Sequence, residues 1–161
     1  MKLNLACGNL RKPDYINVDN NPTCQPDKLH DIIYGIPYSD ETVEEILCEH
    51  FIEHLDGEQF IRFFNECWRV LKVGGKLEIA APYHSMKWAI IDPSHKRFIS
   101  EHSFDFFMNR DYNSVTAGVK GWYLGVSCVL NGGELRVVLE KTLMPSASGH
   151  SWTVQKTEEK K

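Results

Sequence analysis

Short apolar runs alternate with polar turns along the first eighty residues, which is the pattern of an α/β protein with a mostly parallel sheet. The run from Leu3 to Cys7 ends at Gly8 and predicts a strand followed by a turn. Similar runs predict further strands at 16–19, 28–34, 45–48 and 76–81. The signal for the strand within 28–34 is weak.

The clearest helix is predicted to begin after Asp56. This aspartate is a good N-cap, and Gln59 stands three residues later as its capping-box partner. Apolar side chains then recur at helical spacing, and Gly74-Gly75 is predicted to end the helix. The apolar positions are Phe60, Phe64, Cys67, Trp68 and Leu71, with Ile61 widening the face.

The remainder of the chain predicts one more helix and a hairpin. Ser100 is a candidate cap for a helix that reaches about Met108. Two β-like runs at 122–130 and 134–141 are joined by Asn131-Gly132-Gly133, which is a hairpin signal. From Pro145 the chain becomes polar, so we predict a domain over residues 1–144 and a disordered tail over 145–161.

Composition narrows the classes of function. The chain has 161 residues, 42% hydrophobic and 25% charged, with a net charge of −4, which suits one globular domain without the basic surface that DNA binding needs. No apolar run approaches the roughly 18–20 residues of a membrane span, and Met1–Leu5 is too short and polar for a signal peptide. Five cysteines without a CxxC spacing indicate buried thiols in a reducing compartment. We therefore expect a cytoplasmic protein with no DNA or membrane partner, and composition leaves small RNA or nucleotide substrates open.

Ligands of open α/β sheets bind beyond the carboxyl ends of the strands. The residues at those ends are Ala6-Cys7-Gly8-Asn9, Asp19, Asp31 and Glu49-His50. Taken alone, Gly8 indicates a plain turn, because the GxGxxG pattern of dinucleotide sites is absent. Asp19 is either a turn former or an acceptor for a ribose diol, and its position alone leaves both interpretations open.

Several segments together resemble the class I S-adenosylmethionine-dependent methyltransferases, and most of all a small bacterial, methyltransferase type 11-like branch. Residues 3–9 (LNLACGN) resemble the first motif of that branch, and 15–19 (YINVD) match its second. The most specific segment is 66–77 (ECWRVLKVGGKL), and the resemblance runs in order to about Lys141. Further similar segments are 36–46 (IPYSDETVEEI), 49–55 (EHFIEHL) and 92–98 (DPSHKRF).

The resemblance implies a Rossmann-like three-layer sandwich with a mostly parallel seven-stranded sheet and an antiparallel C-terminal hairpin strand. It also implies S-adenosylmethionine as cofactor. The backbone of Ala6, Cys7 and Gly8 would face the methionine part, and Asp19 would accept hydrogen bonds from the ribose. Asp31 would meet the adenine amino group with Ile32 beside the ring, and Glu49 and His50 would lie near the sulfonium.

The function implied is methyl transfer to a small-molecule or glycan-type acceptor. His95 first, and His50 second, are candidates for the group that takes a proton from the nucleophile. The alternative is a non-catalytic methyltransferase-like binding domain with a degenerate cofactor site. Ala6 replaces a motif glycine, Leu10 stands where many members have another, and only about ten residues separate Gly8 from Asp19, so the usual first helix is reduced to a turn.

His50-Phe51-Ile52-Glu53-His54 also fits the HxxEH pattern of inverted zinc metalloproteases. On a helix the two histidines would lie one turn apart and meet one metal, with Glu53 as base. The other interpretation is that Glu53 and His54 begin a helix and make local hydrogen bonds. Because this short motif lies inside the methyltransferase resemblance, we predict no resident metal. The acceptor and the oligomeric state are not predicted by the sequence.

Overall fold

The computed structural model describes residues 1–109, 112–143 and 155–157, and its strands form one mixed sheet. The strands lie side by side in the order β3-β2-β1-β4-β5-β7-β6-β8. Their bounds are β1 Lys2–Leu5, β2 Ile16–Asp19, β3 Lys28–Leu29, β4 Val43–Glu49, β5 Leu71–Pro82, β6 Trp122–Asn131, β7 Glu134–Thr142 and β8 Gln155–Thr157.

Strands β1 to β5 pair in parallel, whereas β7 pairs antiparallel with both β5 and β6. This confirms the predicted Rossmann-like fold class, including the seven predicted strands and the C-terminal hairpin. The short β8 pairs in parallel with β6 and lies within the stretch predicted as a tail. The predicted domain boundary at 144 and the disorder over 145–161 stay predictions, because residues 144–154 and 158–161 lie outside the described residues.

The capping box of the main helix, α1 (Gly57–Val70), forms as predicted. The Asp56 carboxylate accepts the Gln59 backbone N–H at 2.9 Å, and the Gln59 side chain accepts the Asp56 N–H at 3.1 Å. The predicted end at Gly74-Gly75 is wrong, because α1 stops at Val70 and Leu71 already pairs with Val43 of β4. Three short helices follow: α2 Lys87–Ile91, α3 Asp105–Met108 and α4 Tyr112–Thr116. Ser100 caps a 3-10 helix over Glu101–Phe104 that runs directly into α3.

Aromatic side chains fill the core between α1, α3 and the sheet. The ring of Phe64 stacks on that of Phe107 at 4.1 Å, and the hydroxyl of buried Tyr123 donates to the Phe64 carbonyl at 2.8 Å. All five cysteines are free, as predicted, and burial raises the pKa of the Cys48 and Cys67 thiols well above the usual value. No helix in the described part of the chain is long and apolar enough to cross a membrane.

Glu66 and Arg69 of α1 hold the segment before β4 in place. The Glu66 carboxylate accepts the Ile36 N–H at 2.9 Å, and Arg69 donates to the carbonyls of Ile36 and Tyr38, also at 2.9 Å. Arg69 and Glu66 also pair with each other at 2.7 Å. This part of the methyltransferase-like motif therefore has a structural role, as the resemblance implies.

A compact loop replaces the usual helix between β1 and β2. Buried Asn4 donates to the Leu10 carbonyl at 2.9 Å, and buried Asn17 accepts the Lys12 N–H at 2.8 Å and donates to the Lys12 carbonyl at 3.1 Å. Asn17 also donates to Asp27 from its backbone and side chain, and these hydrogen bonds lower the pKa of Asp27. The side-chain amides of Asn4 and Asn17 thus form hydrogen bonds with backbone groups of the loop, which in a helix would bond to one another.

Replacing Asn17 with alanine should lower the free energy of unfolding by about 3 kcal/mol, because the buried Asn4 amide and several partly buried groups of this loop lose their partner at once. Urea unfolding followed by far-UV circular dichroism measures the effect. The matched control is Asn9→Ala in the same loop, where the side chain is exposed and a change within about 0.5 kcal/mol is expected. Equal losses in the two variants would contradict the role assigned to the buried amide.

Candidate functional site

The carboxyl ends of β1 and β2 meet through one carboxylate. Asp19, the last residue of β2, is nearly buried, and its Oδ2 accepts the Gly8 backbone N–H at 2.8 Å. Its Oδ1 accepts the Asn21 N–H at the same distance. A carboxylate has about four lone-pair sites, so each oxygen retains capacity for a further donor such as a hydroxyl group.

A cavity of about 180 Å³ opens beside this carboxylate. Ala6 follows β1, Asp31 and Ile32 follow β3, and Phe51 follows β4, so the carboxyl ends of several neighbouring strands contribute to one wall. Apolar and acidic side chains thus face the same space. The lining residues are Ala6, Asp19, Asn20, His30, Asp31, Ile32 and Phe51.

The backbone bends sharply where the chain leaves two strands. Ala6 after β1 has φ +51° and His50 after β4 has φ +53°, both in the left-handed region that residues other than glycine rarely adopt. Gly8 has φ +48°, and a side chain placed there would meet no atom within 4 Å. Strained conformations of this kind cluster at functional sites, and the space beside Gly8 can hold part of a ligand.

A chain of charged groups lies beside the cavity, at the ends of β4 and β7. Glu49 accepts from Arg136 at 2.8 Å, Arg136 pairs with Glu134 at 2.7 Å, and Glu134 lies 2.8 Å from the His50 ring. The interaction with Glu53 and the negative charge of Glu134 raise the pKa of His50, although partial burial opposes the shift. His50 therefore carries its proton to higher pH than a free histidine.

Three comparisons with known proteins bear on this geometry. A family model described as a methyltransferase domain matches residues 14–79, which include β2, β4 and α1. That match includes Asp19 and Asp31, which line the cavity, and the acidic end of β4. Over these residues the chain is similar to the methyltransferase domain family. The comparison with curated protein sequences finds no match.

Solved methyltransferase structures share the fold of this chain. A SAM-dependent methyltransferase from Archaeoglobus fulgidus is 18% identical, with a TM-score of 0.61 over 87% of this chain and 85% of that one. One from Thermotoga maritima is 14% identical, with a TM-score of 0.61 over 88% and 82%. Phosphoethanolamine N-methyltransferase 1 of Haemonchus contortus, solved with phosphoethanolamine and S-adenosylhomocysteine, is 11% identical, with a TM-score of 0.61 over 94% of this chain and 40% of that one.

The fold brings four of the predicted cofactor residues into the cavity wall: Ala6, Asp19, Asp31 and Ile32. Gly8 adjoins the wall through its hydrogen bond to Asp19. Cys7 is buried, and its backbone N–H donates to the Val18 carbonyl, so it supports the turn. Glu49 lies at the end of β4, where Arg136 holds its side chain. Asp31 uses one oxygen to accept the Ile33 N–H at 3.2 Å and begins a 3-10 turn over Ile32–Tyr34.

Three residues that line the cavity were not predicted from the sequence. Asn20 and His30 are direct neighbours of the predicted Asp19 and Asp31, and Phe51 follows the predicted His50. The signal for each is its place just after a strand end, which also identifies the predicted residues beside it. Phe51 also packs on Phe63 of α1 with ring centres 5.6 Å apart, so the helix fixes this part of the wall.

The two predicted histidines, His50 and His95, occupy different places in the fold. His50 stands at the end of β4 with its side chain 48% exposed, next to the cavity residue Phe51. His95 is not among the lining residues, and it lies against His54 with ring centres 4.9 Å apart. The HxxEH interpretation needs His50 and His54 on one metal, but the His50 ring turns to Glu134 instead. Glu53 and His54 do lie in a short 3-10 turn, Ile52–His54, with local hydrogen bonds.

Proposed function

We propose that this protein transfers a methyl group from S-adenosylmethionine to a small-molecule or glycan-type acceptor. The observation that carries the proposal is the Asp19 carboxylate, held at 2.8 Å by the Gly8 N–H at the mouth of a cavity formed by strand ends. An acidic residue at the end of the second strand suits a ribose diol in α/β nucleotide sites. The match to a methyltransferase domain over 14–79 supports the same function.

The residues present fit this cofactor. Asp19 retains lone pairs for the two ribose hydroxyls, and Asp31 retains an oxygen for the adenine amino group. Ile32 and Phe51 offer apolar surfaces for the adenine ring. The open space beside Gly8 leaves room for the methionine part, which would run past Ala6 towards the end of β4.

Bound S-adenosylmethionine supplies a methyl group already activated by its sulfonium, so the protein's task is mainly alignment. Holding the acceptor in line with the methyl group can contribute about 7–11 kcal/mol in favourable cases. His50 and His95 are the proposed groups for removing the acceptor's proton. His50 is the more accessible of the two, and its carboxylate neighbours Glu53 and Glu134 would stabilise the proton it gains.

The charge of the chain supports a neutral or cationic acceptor. The net charge is −4, and carboxylates of Glu49, Glu53 and Glu134 surround the region beyond β4. Polyanions such as nucleic acids would be repelled by such a surface. A hydroxyl-bearing small molecule or glycan would find hydrogen-bonding partners there.

The size of the cavity favours a second candidate, a non-catalytic domain with a degenerate cofactor site. Its volume of about 180 Å³ is below the roughly 300–1,000 Å³ of ordinary ligand sites. Ala6 adds a methyl group where the motif has glycine, and its left-handed φ holds that group at the cavity wall. Cofactor binding distinguishes the two candidates.

Calorimetric titration with S-adenosylmethionine and S-adenosylhomocysteine tests the proposal. We expect saturable binding that Asp31→Ala weakens about tenfold, because one hydrogen bond to a neutral amino group is lost. Asp14→Ala, an exposed aspartate outside the cavity, is the matched control and should bind as the wild type does. No heat and no thermal stabilisation at millimolar ligand would contradict the proposal and favour the non-catalytic domain.

A further inference from the structure

Beyond the cofactor cavity, three metal-ligating side chains converge from two segments. Glu53 and His54 belong to the 3-10 turn Ile52–His54 after β4, and His95 belongs to the loop after α2. One ligand atom from each of the three lies within 4.8 Å of the other two. We propose that Glu53, His54 and His95 bind a zinc ion.

The buried carboxylate of Glu53 points to a missing ligand. Glu53 is 2% exposed, and its Oε2 has no hydrogen-bond partner among the residues that the structure describes. The other oxygen, Oε1, lies 3.6 Å from the His50 ring. A buried carboxylate oxygen without a partner costs free energy, and a cation bound between Glu53 and the two imidazoles would remove that cost.

Hydrogen bonds prepare both imidazoles to coordinate through Nε2. Nδ1 of His95 lies 3.2 Å from the Ala89 carbonyl, which can only accept, so Nδ1 carries the proton and Nε2 has a free lone pair. Nδ1 of His54 lies 3.1 Å from the Ser94 hydroxyl oxygen. That hydroxyl donates its own proton to Asp92 at 2.6 Å, so it accepts from His54. Metal-binding histidines are usually oriented in this way by an acceptor on the second nitrogen.

The backbone fixes the two segments against each other. The Glu53 carbonyl accepts the N–H groups of Lys96 at 2.8 Å and Arg97 at 3.3 Å. The Arg97 side chain donates to the Leu55 carbonyl at 3.1 Å and lies over the Phe60 ring at 3.9 Å. The ligands therefore stand on connected backbone, and only their side chains have to rotate for binding.

Two neutral imidazoles and one carboxylate are a ligand set typical of zinc sites with an open position. Bonds of about 2.0–2.2 Å in a tetrahedron place ligand atoms roughly 3.4 Å apart, so the three side chains close by about an ångström. Asp92, whose Oδ2 lies 3.8 Å from His95 Nε2, adds negative charge that favours a cation. The fourth position would take water or an oxygen or nitrogen of a bound molecule.

Zinc titration of the metal-free protein tests the proposal, with Co²⁺ as a spectroscopic probe. We expect one saturable site whose Co²⁺ spectrum lacks the thiolate charge-transfer band, since the ligands are nitrogen and oxygen. Glu53→Gln, His54→Ala and His95→Ala should each weaken zinc binding by more than about tenfold. The matched control is His102→Ala, whose side chain is 75% exposed and contacts Asp105, and it should bind zinc as the wild type does.

Circular dichroism and thermal melting of the metal-free variants show whether each variant is folded. Ser94→Ala is a milder second variant, because it removes the hydroxyl that orients His54 and leaves the ligands in place. It is expected to weaken zinc binding about tenfold. Zinc affinity unchanged in all folded ligand variants, or lost equally in His102→Ala, would overturn the proposal. Zinc on Nε2 of His95 would occupy the lone pair that a base needs, so with zinc bound His50 alone would remove the acceptor's proton. Zinc binding itself does not depend on the methyltransferase function. Titration of the same variants with S-adenosylhomocysteine measures the cofactor cavity separately, so failure of one site is distinguishable from failure of the other.

Discussion

Replacing Asp19 with alanine should abolish detectable binding of S-adenosylhomocysteine. In the proposed complex the carboxylate accepts hydrogen bonds from both ribose hydroxyls while it holds the Gly8 and Asn21 N–H groups at 2.8 Å. Hydrogen bonds to a charged acceptor contribute about 1.5–3 kcal/mol each, so losing two weakens binding at least about a hundredfold. Loss of the hydrogen bond from the Gly8 N–H would weaken binding further, because that bond holds the turn beside the cavity wall.

Calorimetry on wild type, Asp19→Ala and Asp19→Asn measures the effect, with thermal melting as a test of folding. Asparagine retains one oxygen acceptor and the size of the side chain, so an intermediate affinity is expected. Asp14→Ala removes the same charge from an exposed position outside the cavity and serves as control. Wild-type affinity in Asp19→Ala would place the ribose elsewhere and contradict the proposed site.

Replacing Gly121 with alanine should strongly lower the free energy of unfolding. A side-chain carbon at this position would lie 2.1 Å from Cγ and 2.2 Å from Cδ2 of Trp68, far inside contact distance. The indole cannot easily move, because its Nε1 donates to the Thr142 carbonyl at 3.2 Å and the Lys141 ammonium lies over the ring at 4.1 Å. Overpacking of this kind costs about 3 kcal/mol.

Urea unfolding monitored by tryptophan fluorescence measures this loss. Gly57→Ala is the matched control, because the nearest atom to an added methyl group there is Arg97 Nη2 at 4.0 Å. Alanine at this first position of α1 should change the free energy of unfolding by no more than about 1 kcal/mol. A Gly121→Ala variant as stable as Gly57→Ala would show that the Trp68 ring moves aside at little cost.

Patterns that depend on neighbouring residues predicted most of the fold. The Asp56–Gln59 capping box and the hairpin turn at Asn131-Gly132-Gly133 form as predicted, because their hydrogen bonds connect residues close in sequence. The end of α1 at Val70 was not predictable in this way. Pairing of Leu71 with Val43 decides it, and that contact joins residues far apart in the chain. The short helices α2 and α4 and the strand β8 were likewise missed.

The sequence predicts those residues of the candidate site that directly follow a strand with a recognisable apolar run. Asp19 and Asp31 follow strands recognisable from their apolar runs, and both line the cavity. The convergence of His95 with Glu53 and His54 could not be predicted, since it depends on backbone hydrogen bonds from Lys96 and Arg97 to the Glu53 carbonyl. The HxxEH pattern pairs His50 with His54, whereas in the structure the ring of His54 lies against His95.

The position of β7 between β5 and β6 has a consequence for synthesis of the protein. Strands β1 to β5 leave the ribosome first and can pair with one another, but the free edge of β5 has no partner until β7 is made. Leu77 and Ile79 lie on this strand, and both are fully buried once β7 pairs with it. An unpaired edge of this kind is prone to join other chains, so a chain interrupted before the hairpin should aggregate rather than fold.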